Sequence, residues 1–255
     1  MLHNSVKQQT ISFPSSEGLN PKIVKCSDAG LTLIEGLIAI VVIAITLVSI
    51  TPPIFWAVGS RVQTQRAEQA LKLAQGEIDR VRTIIERGAA DPPGLPPSVG
   101  ATVNVRSNVA APNVAGTGVI STRVCTGTPG TIPPGNTATF AQIDTNGDCV
   151  ADYLLQTFRS QGLDQTGNAF TGASGQVLSG FVMGVRVYSA VAQSELTAGR
   201  GGTQPASLRG TNGLGNQRNR PLAVLYSTIV RSNESQNLEL YRKLCPANGS
   251  TTGSC

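Results

Sequence analysis

The feature that most limits what this chain can fold into is a stretch without any charged residue, from Gly36 to Ser60. From Leu33 to Trp56 it is dominated by Leu, Ile, Val and Ala. About 20 apolar residues in a helix cross the hydrocarbon core of a bilayer, so the stretch is long enough to span one. A secretory signal peptide would begin near the chain start behind a short basic region. Here residues 1–30 come first, mostly polar and including Pro14 and Pro21. A simple anchor also has no reason to carry Glu35 at the head of its apolar run, where an unpaired carboxylate is costly. Lys22 and Lys25 flank one side of the span and Arg61, Arg66 and Lys72 the other. The balance of basic residues therefore does not set its orientation.

Beyond the span, Ala67, Leu71, Ala74, Ile78, Val81 and Ile85 recur at spacings of four and three, one apolar stripe on a continuing helix. Glu68 with Lys72, and Arg82 with Glu86, stand at the i,i+4 spacing for side-chain pairs. Gly88 and then Asp91-Pro92-Pro93-Gly94 stop the helix. Residues 31–87 thus read as one helix, its first half suited to lipid and its second half to docking on a domain. A coiled coil would need a longer heptad run. Pro52 and Pro53 remove backbone donors within it, which by itself reads as a harmless kink.

After Pro97 the chain turns to short, β-rich segments. Strands are expected at 101–105, 118–124, 153–158, 176–190 and 222–230, the last two being the strongest. The turn-rich intervals favour an antiparallel sheet, and a helix on one face of it makes an α+β fold. Residues 192–220 are rich in Gly, Gln, Asn and Ser, and after Glu195 every charge up to Arg220 is arginine. The segment reads as a solvated loop or as a surface for acidic polysaccharide, DNA or phospholipid headgroups. A net charge of +5 over 255 residues is too small a bias to point to nucleic acid as the main partner.

Asp28-Ala29-Gly30-Leu31-Thr32-Leu33-Ile34-Glu35-Gly36-Leu37 resembles the cleavage and methylation signature of type IV prepilins and type II secretion pseudopilins. In that family a prepilin peptidase cuts after the glycine, here Gly30, and methylates the new N-terminus, here Leu31, where the family more often has phenylalanine. The family's glutamate shortly after the cut falls at Glu35, and its frequent helix proline at Pro52, followed here by Pro53, where the resemblance implies a helix that bends or melts on entering the filament. The resemblance covers roughly residues 26–87. It implies a leader at 1–30, a transmembrane assembly helix at 31–56, its amphipathic continuation at 57–88 and a β-rich head at 89–255. It also implies a plasma-membrane protein whose head lies in the periplasm or on the cell surface, with other pilin subunits and the peptidase as partners. Within the family the chain looks most like minor pilins and the polysaccharide-secretion pseudopilins of cyanobacteria. The alternative is a membrane-tethered adhesin or ligand-binding module that does not polymerise.

Cleavage at Gly30 would expose an amine at the head of an apolar helix. Glu35 of one subunit can pair with that amine on its neighbour, since each buried charge is tolerable only when paired. Cleavage would also remove His3, the sole histidine. Without an imidazole, Ser-His-Asp, Cys-His and H-E-x-x-H sites are excluded, and the chain reads as not an enzyme.

A mature chain keeps Cys125, Cys149, Cys245 and Cys255, an even number suited to disulfides in an exported domain. Three pairings are open, with Cys125–Cys149 and Cys245–Cys255 favoured because sequence neighbours close small loops. Tying down the C-terminal tail is also a feature common among pilins. A zinc site of all four lacks any C-x-x-C spacing. Between the first two cysteines and beyond, Asp144-Thr145-Asn146-Gly147-Asp148-Cys149-Val150-Ala151-Asp152 resembles short D-x-N-x-D calcium loops. The side chains of Asp144, Asn146, Asp148 and Asp152 and the carbonyl of Val150 are the candidate calcium ligands. Cys149 and Leu155 stand where an EF-hand has Gly and Glu, which makes the expected affinity low. The other reading is an Asx-rich hairpin turn.

Overall fold

The computed structural model describes residues 32–88, 92–100, 105–106, 108–207, 216–232 and 236–244, with the backbone alone at 52–57. The expected sites at Gly30, Leu31, Cys245 and Cys255, and the expected strand residues 101–104, lie outside them. The chain is α+β and divides into two units, Met1–Thr51 and Pro52–Cys255. One helix, α1 (Leu33–Glu86), contributes to both, and its helical backbone includes Pro52 and Pro53.

In the second unit α1 lies on a six-stranded sheet. Its strands are β1 (Val114–Ile120), β2 (Thr139–Ile143), β3 (Tyr153–Arg159), β4 (Leu163–Asp164), β5 (Leu178–Ser189) and β6 (Ala223–Val230). The order is β1-β2-β3-β5-β4, with β6 also paired to β5. The sheet is mixed rather than antiparallel throughout, because β1 runs parallel to β2 while the remaining pairs are antiparallel. A parallel pair needs a long crossover, and residues 121–138 supply one. Strand β1 begins before the expected 118 and stops at Ile120. Gly118 accounts for the irregularity between Ala115 and Val119, with φ +72° and no room for a Cβ against the Thr128 carbonyl.

The helix buries Ala70, Ala74, Ile78, Val81 and Ile85 against Tyr153, Leu155, Phe181, Met183, Val185 and Val187. Leu71, expected in the stripe, faces outward at 39% exposure. The contact line instead passes through Ala70 and Leu73, because Tyr153 reaches the helix there: its Oη lies 2.7 Å from Gln69 Oε1 and 3.4 Å from the Arg66 carbonyl. Arg82 pairs with Asp79 rather than Glu86. Glu86 instead accepts the N–H and hydroxyl of Ser232, at 3.1 and 2.6 Å, which joins the end of α1 to the end of β6. Gly88 follows with φ +87°, its N–H on the Ile85 carbonyl.

The opposite face of the sheet is covered too, which the sequence reading did not anticipate. Leu154, Gln156 and Phe158 of β3 and Val182, Arg186 and Tyr188 of β5 point there and are buried. Their cover comes from Val105, Val109 and Ala111, the short helix α2 (Gln193–Thr197) and the helix α3 (Asn237–Leu244). Strand β5 is therefore buried at every one of its 12 residues. Leu240 and Leu244, one helical turn apart, are the buried side of α3.

Candidate functional site

Glu35 lies in the first turn of α1, exposed. Thr32 starts the helix: its carbonyl accepts the N–H groups of Glu35 and Gly36 at 2.9 and 3.1 Å, and its Oγ1 lies 3.4 Å from the Glu35 nitrogen. Thr32-x-x-Glu35 has the spacing of a capping box, and an acid in the first turn also complements the helix dipole. Glu35 thus has a local reason to stand where it does, in addition to any role between subunits. The signal was present in the sequence as a threonine three residues before a glutamate and was overlooked.

From Leu33 to Thr51, 19 residues, the helix carries no charge apart from Glu35, and none of that stretch is buried. It is long and apolar enough to cross a membrane. Its hydroxyls do not spoil that surface. Thr46, Ser49 and Thr51 each donate to a carbonyl one turn back, Ile43, Ile45 and Leu47, at 2.6–2.8 Å.

Cys125 and Cys149 form a disulfide, as expected. Their sulfurs and a carboxylate oxygen of Asp144 lie within 4.8 Å of one another. Bonded to each other, the two sulfurs present no thiolate for a zinc ion. The disulfide fastens the 121–125 segment to the acidic loop, and Cys149 itself adopts a left-handed backbone (φ +67°) that is uncommon for a side-chain-bearing residue.

Within that loop Asp144 is buried and collects donors. Its Oδ1 accepts the N–H of Asn146 and Gly147, and its Oδ2 that of Cys149, at 2.7–3.0 Å. Burial alone would raise its pKa, but these bonds and the Ser121 hydroxyl outweigh burial and hold the carboxyl below its ordinary value. Asp152 Oδ2 accepts the N–H and hydroxyl of Thr145. Asp148 accepts the Val150 N–H and the Asn146 side-chain amide, and Asn146 accepts the Asp148 N–H. The side-chain oxygens that a calcium ion would need are engaged by donors of the loop itself, in the arrangement of an Asx-rich turn. The Val150 carbonyl belongs to an exposed residue at the loop's outer side.

A second loop repeats this design. Asp164-Gln165-Thr166-Gly167-Asn168 places a buried Asp164 against the N–H groups of Thr166 and Asn168, with the Thr166 hydroxyl and Gln176 amide completing its shell. Its carboxyl too is pushed up by burial and pulled further down by those bonds. The shared aspartate-x-polar-glycine pattern was legible in both places and was read in only one.

Sequence reasoning also missed Arg186, which is completely buried. Its Nη1 donates to the carbonyls of Val109 and Ala110 and to Gln156 Oε1, and its Nη2 to the Tyr226 hydroxyl, at 2.8–3.3 Å. The guanidinium stands over the Phe158 ring, 4.8 Å from its centroid. Among the described residues no carboxylate pairs with it, so carbonyl dipoles and an aromatic face replace a counter-ion. The alternation of β5 assigned the side chain to a face, but not that the face would be closed.

Among known proteins, no family model matches the chain, and no curated protein or solved structure matches it significantly.

Proposed function

We propose that the chain is a prepilin-type subunit of the cell envelope, held in the plasma membrane by α1 and assembled through that helix with other pilin or pseudopilin subunits. In this reading it joins a type IV pilus or a type II secretion-like pseudopilus as a minor component and carries no enzymatic activity. The observation that carries the proposal is the apolar stretch Leu33–Thr51, none of it buried, with a single carboxylate, Glu35, at its head. So large an apolar surface requires lipid or other helices around it. A carboxylate at its edge can meet the amine that cleavage after Gly30 would create on a neighbour. The disulfide suits a head domain outside the cytoplasm.

The test is mass spectrometry of the N-terminus of protein taken from its own membranes, beside a Glu35→Ala variant. The expected mature chain begins at methylated Leu31, and the variant stays in the membrane while missing from sheared filaments. An intact Met1 start, or a cut at the far end of the apolar run, would falsify the proposal. Normal processing with the variant displayed in full would leave a tethered binding module instead. Because Glu35 also lies in the first turn of α1, Glu35→Gln belongs in the series: it keeps a polar side chain there but removes the charge.

A further inference from the structure

On the face of the sheet away from α1, the backbone brings three exposed arginines together. Gly202 donates to the Asn219 carbonyl at 2.6 Å and Ala206 to the Pro221 carbonyl at 2.8 Å, so residues 200–206 run beside residues 216–221. The Tyr188 hydroxyl, from the buried end of β5, anchors this pair of segments by donating to the Gly202 carbonyl at 3.0 Å. A side chain at Gly202 would touch the stem of Arg220, which lies across it. Arg200 forms a two-pronged pair with Glu195 of α2, its Nε and Nη2 at 2.7 and 3.0 Å from the two carboxylate oxygens. Arg218 is close enough to Glu195 to add to the pull on that carboxyl, after the Arg200 hydrogen bonds. One carboxylate thus faces two guanidiniums, and its hydrogen bonds are committed to Arg200. Among the described residues, Arg218 and Arg220 are exposed and form no salt bridge.

We propose that this surface binds an acidic polysaccharide, with Arg218 and Arg220 gripping successive carboxylates of a polyuronate-type chain. A guanidinium presents parallel donors that match a carboxylate in two-pronged fashion. Around the arginines stand Thr203, Gln204, Asn216 and Asn219, whose amides and hydroxyls match sugar hydroxyls. Single-stranded nucleic acid fits less well, because residues 193–220 contain no aromatic side chain on which a base could stack. The inference does not rest on filament assembly, since a tethered head would present the same surface.

The experiment uses the full-length protein in a non-ionic detergent and measures its retardation in native gels cast with polygalacturonate, with neutral dextran, or with single-stranded DNA. Polygalacturonate is expected to retard it, dextran not to, and the effect is expected to fade between ~20 and ~300 mM salt as charges are screened. Arg218→Gln with Arg220→Gln should weaken binding about fivefold or more, whereas Lys72→Gln with Arg242→Gln, an equal change of net charge elsewhere, should stay within about twofold. Glu195→Gln frees Arg200 and should strengthen binding, a gain that misfolding does not produce. No retardation by polygalacturonate overturns the proposal. So does an equal loss in both double variants, which marks net charge alone. Tighter binding to DNA that Arg218→Gln with Arg220→Gln abolishes reassigns the surface to nucleic acid and overturns it too. Processing at Gly30 is read separately and is unaffected by any of these outcomes.

Discussion

Phe158 and Tyr226 meet edge to face across Gly184, their ring centroids 6.4 Å apart and their planes inclined at 61°. The three residues stand in one row of adjacent strands, and the absent side chain at Gly184 is the space the two rings share. Arg186 stands over Phe158 and Arg106 over Tyr226, at 4.8 and 5.2 Å, so aromatic faces and guanidiniums alternate across the sheet. This row lies on the second face of the sheet, within the cluster that Val105, Val109 and Leu244 complete.

Gly184→Ala is therefore expected to destabilise the head strongly. A Cβ there would enter the Phe158 ring and stand 3.0 Å from Tyr226. Overpacking of this kind costs about 2 kcal/mol, to be read as a shift of the urea midpoint. A midpoint unchanged from the parent protein would mean that the rings can part freely.

At Arg186 the two halves of the side chain can be tested separately. Arg186→Ala removes packing and leaves the Val109 and Ala110 carbonyls without their donor, for a loss of about 3 kcal/mol. Arg186→Met keeps much of the volume and relieves a buried charge that lacks an acid, so its loss should be smaller, about 1 kcal/mol. Thermal unfolding of both variants decides it. An Arg186→Met protein as unstable as Arg186→Ala would show that the hydrogen bonds dominate.

The loop carboxylates predict how the head responds to acid. Asp144 and Asp164 are both held below the ordinary aspartate value of 3.8 in the folded chain. Their contribution is then fully present above that value and is lost as pH falls through their folded values. Stability should fall from about pH 4 downward, and Asp144→Asn should weaken the head near neutrality while flattening that fall. Acid titrations followed by circular dichroism check this, and an identical slope in the variant would exclude Asp144 as a source.

Reduction of Cys125–Cys149 should loosen the acidic loop before the sheet. The cysteines are 24 residues apart, a closure worth about 3 kcal/mol in the chain-entropy account. Cys125→Ser with Cys149→Ser is expected to lower the melting temperature by roughly 10 °C. Hydrogen exchange should rise first at Asn146, Gly147 and Cys149, whose N–H groups depend on Asp144. Protection unchanged there would mean that the aspartate alone holds the loop.

Elements whose signal is local and repetitive are legible in the chain alone. The apolar run of α1, its stop near Gly88, strands β3, β5 and β6 and the nearest-neighbour disulfide all follow from spacing, composition or loop length. The remaining features depend on partners far along the chain. Strand β2 and the two-residue β4 carry too little pattern alone, and β1 pairs parallel to β2 only because residues 121–138 carry the chain back. Leu71 and Ala70 are equally helical, but Tyr153 selects which of them faces the sheet. Arg186 alternates like its neighbours in β5, and it becomes a buried cation only because Val109 and Ala110 close over it. Arg200, Arg218 and Arg220 are scattered through a polar segment until Gly202 pairs with Asn219. Periodicity records which side a residue takes on its own element, whereas burial and charge environment are set by whatever distant segment packs against that side.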